Sequence, residues 1–207
     1  MTLKDIFDKN NCDKSHRHRY DLIYEAYFYK KKNHNINILE VGVFRGESTK
    51  SWLEYFPNAT VVAIDTFERI DEWNIKTLKN KRVRTIKSDS TLPNVKKHLQ
   101  ELDLKYDFII DDGLHTPIAN KKTFNNLFEF LKNDGIYYVE DFWPMFDMTE
   151  KQLSHKHLKK HKEDWNLENI NDFLSTISMY HYEGIDNRQI SKKPDSYIFK
   201  IEKTNLL

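Results

Sequence analysis

Residues 36–46 read Ile-Asn-Ile-Leu-Glu-Val-Gly-Val-Phe-Arg-Gly. The apolar run Ile36–Leu39 has the make-up of a strand, spanning about 36–41. Glu40 closes the run, and Gly42 and Gly46 form a turn into a helix from Glu47 to Tyr55. A strand, a glycine turn and a helix are the opening unit of a parallel sheet with crossover helices. The same grammar repeats downstream. Strands are expected at Thr60–Asp65, about Arg82–Lys87, Tyr106–Asp111 and Ile136–Glu140. Between them lie a helical or irregular segment over 68–80 and helices from about Asn94 to Glu101 and from Ala119 to Leu131. The middle strands are continuous apolar runs, as expected for strands covered on both faces.

The flanks extend this pattern. Residues 1–15 look irregular or loosely helical. Residues 17–31 place Tyr20, Ile23, Tyr24, Tyr27 and Phe28 on one helical face. Past Asp141 the chain turns aromatic and then rich in Lys and His. A helix follows over about 168–177, and two β-rich segments, Ser178–Glu183 and Ser196–Glu202, end the chain. With no internal repeat and no long linker, one domain over 1–207 is the simplest account. It divides into a helical cap (1–35), a core (36–141), a lid (142–177) and a β hairpin (178–207).

Composition narrows the function classes. The chain has 33 basic and 32 acidic residues and a formal charge of +1, so its overall charge gives no reason to expect nucleic acid. Its single cysteine, Cys12, rules out an intramolecular disulfide and a Cys-based zinc site, and fits a reducing compartment. The N-terminus has no apolar signal core, and no run approaches ~18 apolar residues. A cytoplasmic protein with no membrane partner is expected.

Acids close three of the strands: Glu40, then Asp111 with Asp112, then Glu140 with Asp141. Ligands of open α/β sheets bind outside the carboxyl ends of the strands, so these acids point to one crevice. Asp112, Glu140 and Asp141 offer oxygen ligands to an octahedral Mg²⁺ or Mn²⁺, which would relieve their mutual repulsion. His115, three residues past Asp112, suits general-base work near neutral pH. A lone histidine after a strand is usually a turn residue; its place among the acids is what singles it out. Asp65 ends the second strand nineteen residues after Gly46, where an acid can accept both hydroxyls of a ribose. Asp89, between Ser88 and Ser90, is placed to meet an adenine amino group, although Asp and Ser are also ordinary turn residues. Phe142–Phe146 reads equally as a wall for a sugar's apolar face or as core under a long loop. His155, His157 and His161 form a metal tract or a solvated helix, with solvation the commoner use.

The four-residue spacing of Gly42 and Gly46 is not that of a dinucleotide fingerprint. With the acids at the first two strand ends, it resembles the class I S-adenosylmethionine-dependent methyltransferases over about 36–141. Asp111-Asp112-Gly113-Leu114-His115 and Glu140-Asp141 narrow the likeness to the metal-dependent, macrolide-type sugar O-methyltransferases, with Leu114 where Ser is usual. Asp13-Lys14-Ser15, His16, Tyr20, Tyr24-Glu25, Trp52 and Tyr55-Phe56-Pro57-Asn58 resemble the same family. The resemblance implies a Rossmann-like, doubly wound α/β fold. Its sheet would be seven-stranded and mostly parallel with an antiparallel last strand, joined by an N-terminal helix and a lid after strand five. It implies methyl transfer from S-adenosylmethionine to a hydroxyl of a sugar or nucleotide-sugar acceptor. In that scheme Glu40, Gly42, Gly46, Asp65, Asp89 and Asp111 border the cofactor. Asp112, Glu140 and Asp141 hold Mg²⁺ or Mn²⁺, and His115 with Asp112 forms the catalytic pair. A nicotinamide oxidoreductase or a hydroxylase-like enzyme on the same fold stays open, as does a homo-oligomer.

Overall fold

The computed structural model describes residues 1–203; the last four residues of the expected C-terminal hairpin segment lie outside the described residues. The strands are β1 (Asn37–Val41), β2 (Thr60–Asp65), β3 (Val83–Lys87), β4 (Tyr106–Asp111), β5 (Leu131–Val139), β6 (His181–Asp186) and β7 (Tyr197–Glu202). They form one sheet in the order β3-β2-β1-β4-β5-β7-β6. Pairs among β1 to β5 are parallel, and β7 runs antiparallel to both β5 and β6. This is the expected Rossmann-like architecture with its antiparallel strand.

Two layers of helix cover the sheet. On one face lie α1 (Leu3–Lys9), α2 (Asp13–His16), α3 (Asp21–Phe28) and α4 (Glu47–Tyr55); on the other lie α5 (Val95–Leu102), α6 (Pro117–Leu127) and, after the short α7 (Glu150–Leu153) and α8 (Lys156–Lys160), α9 (Leu167–Ile177). The two-residue period of β4 divides the core. Phe108 and Ile110 join Tyr24, Phe28 and Trp52, while Ile109 joins Phe124, Leu127 and Phe173. Phe28 is the hub of the first face, with its ring centroid 4.0 Å from Phe108 and 5.9 Å from Tyr138.

The helix expected over 17–31 starts only at Asp21 and ends in a 3₁₀ turn, Tyr29–Lys31. Arg19 takes a left-handed φ of +58°, and the Tyr20 N–H turns back to the Lys14 carbonyl at 2.7 Å. A chain that leaves α2 through this left-handed residue starts α3 in a new direction. Asn133-Asp134-Gly135, a sequence typical of turns, lies inside β5, where the pairing register with β4 shifts. A Cβ at Gly135 would sit 2.8 Å from Leu131 Cγ and from the Lys132 carbonyl oxygen, so this irregularity needs glycine. The segment 68–80 contains only two 3₁₀ turns. At α6, Thr116 Oγ1 accepts the Ala119 N–H and Pro117 occupies the first turn, so the helix starts two residues earlier than expected.

The amino end of the sheet is tied by Asp107. Its carboxylate accepts from the Asn37 N–H (3.0 Å), Lys31 (3.1 Å) and Lys132 (2.7 Å), joining the cap, β1, β4 and β5. Burial alone would raise its pKa, but these donors outweigh burial and lower it. A depressed carboxylate pKa stabilises the fold above the unfolded value and loses that contribution as pH falls through the folded value. Asp107→Ala is expected to lower unfolding free energy by about 2 kcal/mol at neutral pH. In urea titrations the gap between variant and parent should shrink once the pH drops below the ordinary carboxylate range.

Candidate active site

The strand order reverses between β1 and β4, which opens a crevice at their carboxyl ends. Gly42 makes that junction close. Its φ is +87°, and a Cβ there would lie 2.0 Å from the Asp112 carbonyl oxygen. The Asp112 N–H also bonds the Val41 carbonyl at 3.0 Å. The close approach that this glycine permits is therefore made by the chain's own β4 end. Gly46, at φ +76°, starts α4 and is packed under Ile75, whose Cγ2 would lie 2.7 Å from an added Cβ.

The acids expected to border a nucleotide divide into two groups. Asp65 is partly exposed at the end of β2; one oxygen accepts the Val43 (2.7 Å) and Phe44 (3.1 Å) N–H groups and the other accepts the Phe67 N–H (2.8 Å). It thereby shapes the turn after β1 from the neighbouring strand. Asp89, also partly exposed, bonds the Thr91 N–H and hydroxyl through one oxygen. Glu40 and Asp111 are interior. The Glu40 carboxylate is fully buried and accepts from the Thr49 hydroxyl and, at 2.8 Å, the Trp52 indole. Burial raises its pKa. It braces α4 against β1. Asp111 accepts from Asn120 (3.2 Å) and Tyr137 (3.4 Å), and burial pushes its pKa up to about 6.

The second cluster is built around a residue given no role in the sequence reading. Lys14, on α2, reaches the strand ends and donates to Asp112 Oδ2 at 2.7 Å and to Glu140 Oε2. Lys14 and Glu140 are each only 2% exposed. Tyr24 donates to the other Glu140 oxygen, so both of its carboxylate oxygens are taken. Glu140, expected with Asp112 and Asp141 to hold an ion, thus has both oxygens engaged by side chains of the cap. Asp112, His115 and Asp141 each offer a ligand atom, all within 4.8 Å of one another. His115 Nε2 is 3.5 Å from Asp112 Oδ1, and its buried Nδ1 has no hydrogen-bond partner among the described residues. Two carboxylates and an imidazole are donors that suit a hard divalent ion such as Mg²⁺ or Mn²⁺. His115 and Asp141 both hold left-handed backbones, with φ of +58° and +53°.

Tyr20 supports Asp141 twice, donating to Oδ1 at 2.9 Å and accepting its N–H at 3.1 Å. Burial, followed by the charges of Asp112 and Asp195, raises the Asp141 pKa. His18 stacks on Tyr20, and its Nδ1 lies 2.9 Å from the Ser196 hydroxyl and 3.3 Å from Asp141. Burial lowers the His18 pKa to about 4, leaving the imidazole neutral. Nothing in the sequence around His18 signals this contact, because Ser196 lies 178 residues further along the chain. Behind Asp141, Phe142 and Trp143 are buried, and only Phe146 is substantially exposed. The first two are core, and Trp143 is flanked by the His155 and His157 rings. His157 Nε2 reaches the His115 carbonyl at 3.3 Å, joining the lid to the cluster.

The model of a family described as a methyltransferase domain matches residues 39–142, half of the chain. The chain belongs to that family. This methyltransferase domain is 28% identical over 149 residues to the 8-demethyl-8-alpha-L-rhamnosyl tetracenomycin-C 2'-O-methyltransferase of Streptomyces olivaceus, covering 67% of this chain and 38% of the relative. It is 27% identical over 135 residues to the mycinamicin VI 2''-O-methyltransferase of Micromonospora griseorubida, covering 59% and 31%. The chain thus spans about a third of the length of these curated relatives. Among solved structures, MycE methyltransferase from the mycinamycin biosynthetic pathway, in complex with Mg and SAH, superposes with a TM-score of 0.72 at 19% identity. That match covers 99% of this chain and 55% of that one. Among the described residues, no helix is long and apolar enough to cross a membrane.

The Gly42 junction is open to direct test. Gly42→Ala forces a side chain into a left-handed position and against the Asp112 carbonyl. It is expected to cost at least about 1–2 kcal/mol of stability. Calorimetry should also show weakened binding of S-adenosylhomocysteine, because the β1 turn and the Asp112 strand end must separate.

Proposed function

We propose that this methyltransferase domain transfers a methyl group from S-adenosylmethionine to a hydroxyl oxygen on a sugar of a glycosylated or nucleotide-linked small molecule, with a divalent cation. The convergence of Asp112, His115 and Asp141 at the β4 and β5 ends of a methyltransferase-family sheet carries this assignment. The names of the curated relatives, O-methyltransferases of rhamnosylated tetracenomycin and of mycinamicin, support a sugar acceptor.

Gly42, Asp65 and Asp89 border the cofactor. Asp65 retains lone pairs for ribose hydroxyls while it fixes the turn after β1. Glu40, Gly46 and Asp111 act from behind, holding α4 and the strand ends in place. Asp112 and Asp141 hold the cation, which when bound makes a neighbouring hydroxyl more acidic. His115 takes the hydroxyl proton, and Asp112, 3.5 Å away, stabilises the imidazolium. The acceptor oxygen forms a bond to the methyl carbon as the carbon–sulfur bond breaks, leaving S-adenosylhomocysteine. No covalent enzyme intermediate is needed, so alignment of the reacting atoms supplies much of the rate.

His115 can serve as base or as ion ligand, and the two roles differ in their consequences. For the base, His115→Ala is expected to lower kcat by about 10²–10⁴-fold. Affinities for S-adenosylhomocysteine and Mn²⁺ should stay close to those of the parent. Turnover would be read as S-adenosylhomocysteine release over a panel of deoxysugar-bearing polyketides, and chelation should abolish it until Mg²⁺ or Mn²⁺ is restored. Full activity after chelation would remove the cation from the mechanism, and an unimpaired His115→Ala enzyme would remove the base.

A further inference from the structure

Lys14 is among the largest fully buried side chains of the protein, and its ammonium lies where a divalent ion's charge is wanted. The lysine is paired with two carboxylates, Asp112 and Glu140. It comes from the cap, and its two partners lie at the ends of different strands. Asp112 also belongs to the group of side chains whose atoms gather as an ion site, so one of its oxygens faces Lys14 and the other faces His115. Glu140 has both oxygens engaged by Lys14 and Tyr24.

We propose that Lys14 is an intramolecular rival of the divalent cation: it occupies Glu140 and half of Asp112, and so sets how tightly the site takes an ion. This inference rests on the cation assigned to Asp112 and Asp141 above. Asp112, Glu140 and Asp141 together carry three negative charges when ionised. Lys14 offsets one, which leaves two for a divalent ion. Without the lysine the ion meets a more negative site and gains access to a third carboxylate. At separations of a few ångströms, a unit charge changes the binding of a doubly charged ion substantially even at an effective dielectric of ~20. Lys14 also ties the cap to the strand ends, so ion loading is coupled to the seating of α2.

Mn²⁺ binding, read by electron paramagnetic resonance on purified protein without cofactor or acceptor, tests this directly. Lys14→Met and Lys14→Gln should bind Mn²⁺ at least about tenfold more tightly than the parent, and Lys14→Arg should bind no more tightly than the parent. Both neutral variants should melt lower without Mn²⁺ and recover more of their melting temperature on its addition, as linkage requires of a tighter ligand. Should Lys14→Met fail to fold, Lys14→Gln, which keeps hydrogen-bond donors without the charge, decides. Parent protein that binds Mn²⁺ alongside neutral variants with equal or weaker affinity overturns the rivalry and leaves the cation site standing. Absence of Mn²⁺ binding in the parent and all variants overturns the cation site itself, and the rivalry with it.

Discussion

Three carboxylates at neighbouring strand ends, largely shielded from water, repel one another and resist ionisation unless positive charge is supplied nearby. In this protein a buried ammonium supplies part of it. Lys14 spans from α2 to Asp112 and Glu140, while Tyr24 and Tyr20 take remaining acceptor positions on Glu140 and Asp141. The cap is thus more than a cover for the apolar face of the sheet. Its Tyr24 packs on Trp52 of α4 and Tyr138 of β5, and its Phe28 on Phe108 of β4, and its polar side chains finish the electrostatics that the strand ends cannot finish alone. Removing one partner of such a buried pair costs far more than removing an exposed pair, because the other charge is left stranded.

The division of labour at the crevice follows from burial. Acids whose oxygens are wholly enclosed, Glu40 and Asp111, carry load between elements. Acids with partial exposure, Asp65, Asp89, Asp112 and Asp141, keep lone pairs that a small molecule or ion can reach. Asp65 does both, and in doing so links the shape of the first turn to the side chain that would meet a ribose.

Much of the sheet was legible because its strands are apolar runs fenced by acids. Residues 60–65 and 106–111 and the helix 47–55 stand where the periodicity places them. In the cap the apolar helical face was legible, with Tyr20, Ile23, Tyr24 and Phe28 buried, but the start of the helix was not, because a single left-handed residue, Arg19, redirects the chain and nothing in local composition marks an arginine for that conformation. Lys14 was visible only as a letter in a family-like motif. A lysine in a short polar segment ordinarily reads as solvated, and its partners are 98 and 126 residues away. The glycine turn was correctly placed, but its close neighbour is the Asp112 backbone. The aromatic run after Asp141 had two equal readings, and burial assigns Phe142 and Trp143 to the core.

The left-handed backbones of His115 and Asp141 bear on how this site can drift over evolutionary time. That conformation is tolerated by few L-residues, chiefly Asn, Asp and His, and is freely adopted by glycine, whereas β-branched and bulky side chains pay a steric penalty there. The backbone therefore favours Asn, Asp, His and glycine at both positions before any chemistry is selected, although Arg19 and Phe67 hold the same conformation elsewhere in this chain. Among the favoured residues, only the ionisable ones can both bind a cation and take up a proton. New specificities should accordingly arise by change in the cap and the lid around a nearly invariant pair.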